Sequence, residues 1–167
     1  MSNASIPVFE ISLNALSVLL DKAEAYAEAK KIDPTALLNT RLFPDMFTFT
    51  RQVQSACDQA KNGGARLAGI DPPRYEDTEK TIPELKARIA KTVDYLKGFK
   101  PAEIDGTEDK EITLKFGSGE RKFTGLGLLL GHILPNFYFH CTTAYDILRH
   151  CGIELVKRDF MGTPPNL

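Results

Sequence analysis

The chain has 167 residues, 43% of them hydrophobic, and its 21 basic and 22 acidic side chains leave a net charge of −1. Length and apolar content suit a single domain over 1–167 with a real core, and they exclude a disordered chain. The balanced charge leaves no field that would gather nucleic acid or an anionic membrane, so neither is expected as a partner.

Cys57, Cys141 and Cys151 are odd in number and lack a CxxC spacing, which predicts buried, reduced thiols and a cytoplasmic protein. The first residues lack the basic-then-apolar pattern of a secretory signal. Uninterrupted apolar runs fall short of the roughly 20 residues of a membrane span.

Ser5 precedes a long helical pattern, in which Phe9, Leu13, Leu16, Leu20, Ala23 and Ala27 step by four and three along one stripe. Asp33-Pro34 reads as an N-cap with proline at the first helical position, opening a short helix "PTALLN". Pro44 and Asp45 are expected to open the second long helix, with Met46, Phe49, Val53, Ala56 and Ala60 on its inner face. Gln52, with Thr48 and Gln59 more marginally, borders that face. Gly63-Gly64 either ends the helix or marks a close helix crossing.

"GIDPPRYED" has two prolines and no periodicity and reads as a loop. Thr81 and Glu84 have capping-box spacing, with Pro83 tolerated in the first turn. The third long helix turns Leu85, Ile89, Val93 and Leu96 inward, and Lys86, Arg88, Lys91 and Lys97 are expected on a solvated outer side. Gly98 ends it, and "KPAEIDGTEDK" reads as a polar connection.

The period then changes to two: Ile112, Leu114 and Phe116 alternate with Thr113 and Lys115, "GSG" turns, and "ERKF" returns. This predicts a β-hairpin that lies against the helices, because an isolated two-stranded ribbon is barely stable in water. Thr124 caps a last helix running to about Cys151, with Gly152 as its terminating glycine. Pro135 falls inside it and should kink it, with Gly131 giving the backbone room. A tail over about 153–167 offers Ile153, Leu155 and Phe160 for docking. The pattern reads as an all-α, four-helix bundle with a short hairpin inserted before the last helix.

"HILPNFYFHCTTAYDILRH" holds all three histidines. Asn136, His140, Thr143, Ile147 and His150 form one stripe flanking an apolar face of Ile133, Phe137, Cys141, Ala144 and Leu148. Height decides against a metal held by histidines of this helix alone: His132 and His140 stand about 12 Å apart along the axis, and His140 and His150 about 15 Å. Zinc–nitrogen bonds of about 2.0–2.1 Å cannot bridge such gaps. Only Asn136 and Ala144 lie one turn from His140. The second helix offers amides, Gln52 and Gln59, while Asp21, Asp45 and Asp58 have no supporting spacing.

Other pairs read as structural. Tyr145 with Arg149, and Asp146 with His150, are surface neighbours one turn apart. Cys141 sits on the apolar face as a small hydrophobe rather than a nucleophile. "VKRDF" carries too little charge for a nucleic-acid footprint, and "GLGLLLG" follows no strand of a βαβ unit.

"RLFPDMFTFTRQVQSACDQAK" and "LPNFYFHCTTAYDILRHCGIELVKRDFMG", with "DTEKTIPEL" between them, resemble the family called domain of unknown function nineteen ninety-three. That family is similar to the wider DinB/YfiT-like group of four-helix proteins. The resemblance implies a divalent metal held by three histidines, one from the second helix and two a turn apart on the last, and in some members a thiol-dependent transferase or isomerase activity. Carried over by position, His140 matches the second histidine of the last-helix pair, Asn136 stands for the first, and Gln52 for the one on the second helix. Two of three ligands are thus amides, so no metal and no other cofactor is expected, with a divalent ion as the alternative. The expected role is binding a small organic molecule at Gln52, Asn136 and His140, with His140 as proton carrier if the protein is an enzyme, its ordinary pKa lying near neutrality. The alternatives are a metal- or thiol-dependent transferase or isomerase, and a non-enzymatic homodimeric interaction protein.

Overall fold

The computed structural model describes residues 1–117 and 119–163. Ser118 of the expected turn, the side chain of Phe116 and tail residues 164–167 lie outside the described residues.

After a short 3₁₀ turn at Ser2–Ala4, α1 runs Ile6–Lys30. By length and composition Ser2–Lys30 is apolar enough to cross a membrane. Here that apolarity belongs to the core: Phe9, Leu13, Leu16, Leu20, Ala23 and Ala27 are all buried along the expected stripe. The Phe9 ring meets Phe137 edge to face at 5.1 Å. A buried ring of this kind contributes on the order of 1.5–3 kcal/mol through area removed from water.

Asp33 caps α2 (Pro34–Leu38) through the Thr35 N–H, as its sequence predicts. The next helix, α3, runs Phe49–Ala68 and starts later than expected. Residues 42–46 form turns and bends, and Thr48 accepts the Arg51 N–H as N-cap. Thr48 supplies the orphan amides with an acceptor that Asp45 does not provide from its turn. Met46 and Phe47 therefore precede the helix.

Gly63-Gly64 does not end α3; it is a close crossing. A Cβ at Gly63 would lie 2.8 Å from Ile133 Cγ2, and one at Gly64 3.0 Å from the Phe99 ring. The paired glycines let α3 approach its neighbours more closely than any side chain would allow.

The capping box of Thr81 and Glu84 opens α4 (Ile82–Lys97), whose Leu85, Ile89, Val93 and Leu96 are buried. Lys91 and Lys97 are exposed and Lys86 is half-buried, but Arg88 is buried. Only 4% exposed, Arg88 sits among three carboxylates at 3.0 Å each, Asp58, Asp77 and Glu79, and donates to the Glu76 carbonyl. A charge is tolerated in such a place only with its partners. Burial would lower the Arg88 pKa, but Glu79 and Asp58 hold it above its ordinary value. Lys61 adds a bond to the Pro73 carbonyl, and both Lys61 and Lys91 lie over the Tyr75 ring. The expected loop after α3 is thereby clamped onto α3 and α4.

The supposed polar connection contains a short helix, α5 (Pro101–Ile104), because Ile104 is fully buried. Strands β1 (Glu111–Phe116) and β2 (Gly119–Thr124) pair antiparallel, Glu111 opposite Thr124. Leu114 is buried and Ile112 and Phe123 pack against the core, which supplies the support a lone hairpin lacks.

Thr124 caps the last helix through the Gly127 N–H. The helix proceeds as α6 (Gly125–Leu128), a π-helical turn (Leu129–Ile133) and α7 (Leu134–His150). The strain expected at Pro135 is taken up by this widened turn just ahead of it. A π turn shifts the ladder by a residue, so the proline's missing N–H and bulky ring meet a backbone already rearranged. Gly152, at φ 90°, closes the helix. Ile153 and Leu155 are buried, and α8 (Lys157–Met161) docks on α1 and α7 by Lys22–Asp159 at 2.8 Å and the Tyr145–Phe160 ring pair.

The four long helices form the bundle, α3 packing on α7 and α4, and α1 on α4 and α7. Its core runs as one cluster from Ile6 to Leu155.

Candidate functional site

Gln52 and His140 come from α3 and α7, the helices that pack most extensively on each other. Gln52 is 1% exposed, one turn into α3. Its side-chain Oε1 lies 2.7 Å from His140 Nδ1, and its Nε2 donates to the Phe47 carbonyl at 3.4 Å. The late start of α3 makes this possible, since a carbonyl at residue 47 outside the helix is free to accept a side-chain amide.

His140 is half-buried. The Phe47 ring lies nearly parallel to it, centroids 6.3 Å apart at 12°, and Phe139 stands edge-on at 5.5 Å. Both phenyl rings are about half exposed, 49% and 56%. Arg51 lies over Phe47, pairs with Asp77 and reaches Gln54. Burial, first, and the Arg51 charge, second, hold the His140 pKa below its ordinary value. The imidazole is therefore neutral at physiological pH.

Asn136 does not join the pair. Its Nδ2 turns back one helical turn to donate to the His132 carbonyl at 2.7 Å, with His132 Nδ1 at 3.5 Å. The three expected residues thus divide into a bonded pair and a neighbour one turn away on the same helix. Thr143 is buried and donates to the Phe139 carbonyl, while His150 and Asp146 are exposed. Tyr145 packs on Phe160 and Arg149 donates to the Ile153 carbonyl rather than forming a recognition pair. Cys141 is buried with its thiol pKa pushed up by burial, as expected of a small core residue.

The donor set does not fit a divalent cation. One imidazole nitrogen of His140 is committed to Gln52, both neighbours that would complete a triad are carboxamides, and Asn136 faces the other way. Among the described residues no group of three or more His, Cys, Asp and Glu side chains is arranged to hold an ion.

Sequence reasoning missed Phe47, Phe139 and Arg51. The signal was present for the two rings. Three consecutive aromatics at 137–139 cannot all face one core, and of Phe47 and Phe49 only one fits the buried stripe.

The family profile for "Domain of unknown function (DUF1993)" matches residues 1–161. The chain belongs to this family. A crystal structure of a DinB family member protein from Shewanella denitrificans is 43% identical and superposes with a TM-score of 0.93. That match covers 99% of this chain and 94% of the other. No curated protein matches the chain. The DUF1993 chain therefore has the DinB-like helical fold with its two-stranded hairpin, in agreement with the architecture read from its sequence.

Proposed function

We propose that this chain binds a small organic molecule at the position where metal-binding DinB-like proteins hold their ion. The observation that supports the reading is the 2.7 Å Gln52–His140 contact. It holds one imidazole rigidly by its inner nitrogen between two half-exposed phenyl rings, without the ligands a metal needs. A neutral base with apolar walls has the composition of a binding site for a small, largely apolar molecule. The same base would accept a proton if a reaction follows binding. Three free thiols suit a reducing, cytosolic setting.

The test is a thermal-shift panel of metabolites run on the tag-free protein and on His140→Ala. A ligand that raises the melting temperature of the first and not of the second supports the reading, and identical responses refute it. Elemental analysis of the same preparation distinguishes the metal-dependent alternative, which requires stoichiometric zinc, nickel, manganese or iron.

A specific observation favours a second reading. Phe43, Phe47 and Phe139 are 63%, 49% and 56% exposed, and large exposed apolar groups often mark protein interfaces. If a second copy covers them, light scattering shows a dimer that Phe139→Ser dissociates.

A further inference from the structure

The hydrogen bonds around His140 carry information about which ligands it can take. We propose that the site selects neutral molecules that donate a hydrogen bond from a flat apolar frame, as a phenol does, and rejects those that only accept. This rests on the small-molecule reading above and narrows it to a chemical class.

A backbone carbonyl can only accept, so the Phe47 oxygen orients the Gln52 amide with its nitrogen outward to Phe47 and its oxygen toward His140. An amide oxygen also only accepts. At 2.7 Å it therefore requires a proton on His140 Nδ1. A neutral imidazole protonated at Nδ1 has its lone pair at Nε2. Among the described residues no protein group is bonded to that Nε2, and it is not sealed from solvent. It is an accessible acceptor whose tautomer is set from the far side of the ring.

The surroundings exclude the charged alternatives. An anion would bring acceptor oxygens against the Nε2 lone pair, and the nearby Arg51 is already paired with Asp77. A cation would find the Phe47 ring already covered by Arg51 and the Asp77 carboxylate already paired. The low basicity of His140 agrees, because the ring stays in the form that accepts. Phe47 and Phe139, both about half exposed beside the imidazole, offer aromatic surface on which a flat ring can pack.

The experiment uses the full-length ¹⁵N-labelled protein at pH 7.5, long-range ¹H–¹⁵N spectra of His140, and two probes, phenol and anisole. The two share a ring, but anisole has no proton to donate. The expected spectrum of the free protein shows Nδ1 protonated and Nε2 bare. Phenol should shift the Nε2 resonance and bind about tenfold more tightly than anisole, the factor that one good hydrogen bond commonly supplies. Gln52→Leu should mix the tautomers and shrink that preference. A protonated Nε2 in the free wild-type protein overturns the proposal, and this measurement needs no variant that folds. Equal binding of phenol and anisole overturns the donor class while leaving a small-molecule site standing. Binding of neither overturns this class, and the failure of the wider metabolite panel is what would remove the site itself.

Discussion

Replacing Arg88 by methionine keeps most of the stem and removes the charge. Arg88 is 4% exposed and neutralises Asp58, Asp77 and Glu79 together. After the substitution Asp58 keeps Lys61 at 3.2 Å and Asp77 keeps Arg51. Glu79, 14% exposed at its side chain, keeps only the Gln54 amide. The loss is therefore dominated by one stranded carboxylate, at about 3 kcal/mol, the low end of the cost of breaking a buried ion pair. In urea, with a slope of about 2 kcal/mol/M, the midpoint should fall by roughly 1.5 M. The melting temperature should fall by about 6–12 °C. Adding Glu79→Gln removes the stranded charge and should recover about 1 kcal/mol or more. A loss under about 1 kcal/mol in the single variant, or no recovery in the double, would refute the idea that Arg88 holds residues 76–79 through its charge.

Glycine substitutions should separate the crossing from the open turn. Gly63→Ala should cost about 1–3 kcal/mol, because its Cβ would press on Ile133, whereas Gly131, with nothing within 4 Å, should gain about 0.5–1 kcal/mol as alanine; urea midpoints that move the same way for both would sink the distinction. Thiol labelling with iodoacetamide at pH 8 should modify half-buried Cys151 first, since burial pushes the Cys57 thiol up to about 12 and raises Cys141 as well. Equal labelling of all three in the native protein contradicts this. The Glu84 carboxyl is held below its ordinary pKa by the Lys80 N–H and then by Thr81. Its contribution is present above the unfolded value of about 4.3 and fades as pH falls through the lower folded value. Glu84→Gln, which cannot titrate, should show a flatter loss of stability with acid over that window, measured as urea midpoint against pH.

Much of the fold could be read from local pattern. The stripe of Phe9, Leu13, Leu16 and Leu20, the Asp33 and Thr81 caps, the alternation around Leu114 and the closing Gly152 each depend on residues within a turn or two of one another. Helix and strand periods are local properties, so the sequence carries them in full. The candidate site was half legible: helical spacing put Gln52 at the edge of one core face and His140 beside another. That the two touch was not, since 88 residues separate them and their contact depends on how α3 and α7 are rotated against each other.

By itself, then, the sequence determined the long helices, the hairpin and their apolar faces, but not the short helices α5 and α8. Only the tertiary structure decided that Arg88 is buried, that α3 begins at Phe49, that Asn136 turns away from His140 and that Phe47 supplies both a wall and a carbonyl. The reason is the same in each case. A polar side chain at the rim of a helix face has two stable outcomes, water or a partner, and the partner comes from a distant segment whose position no local period records.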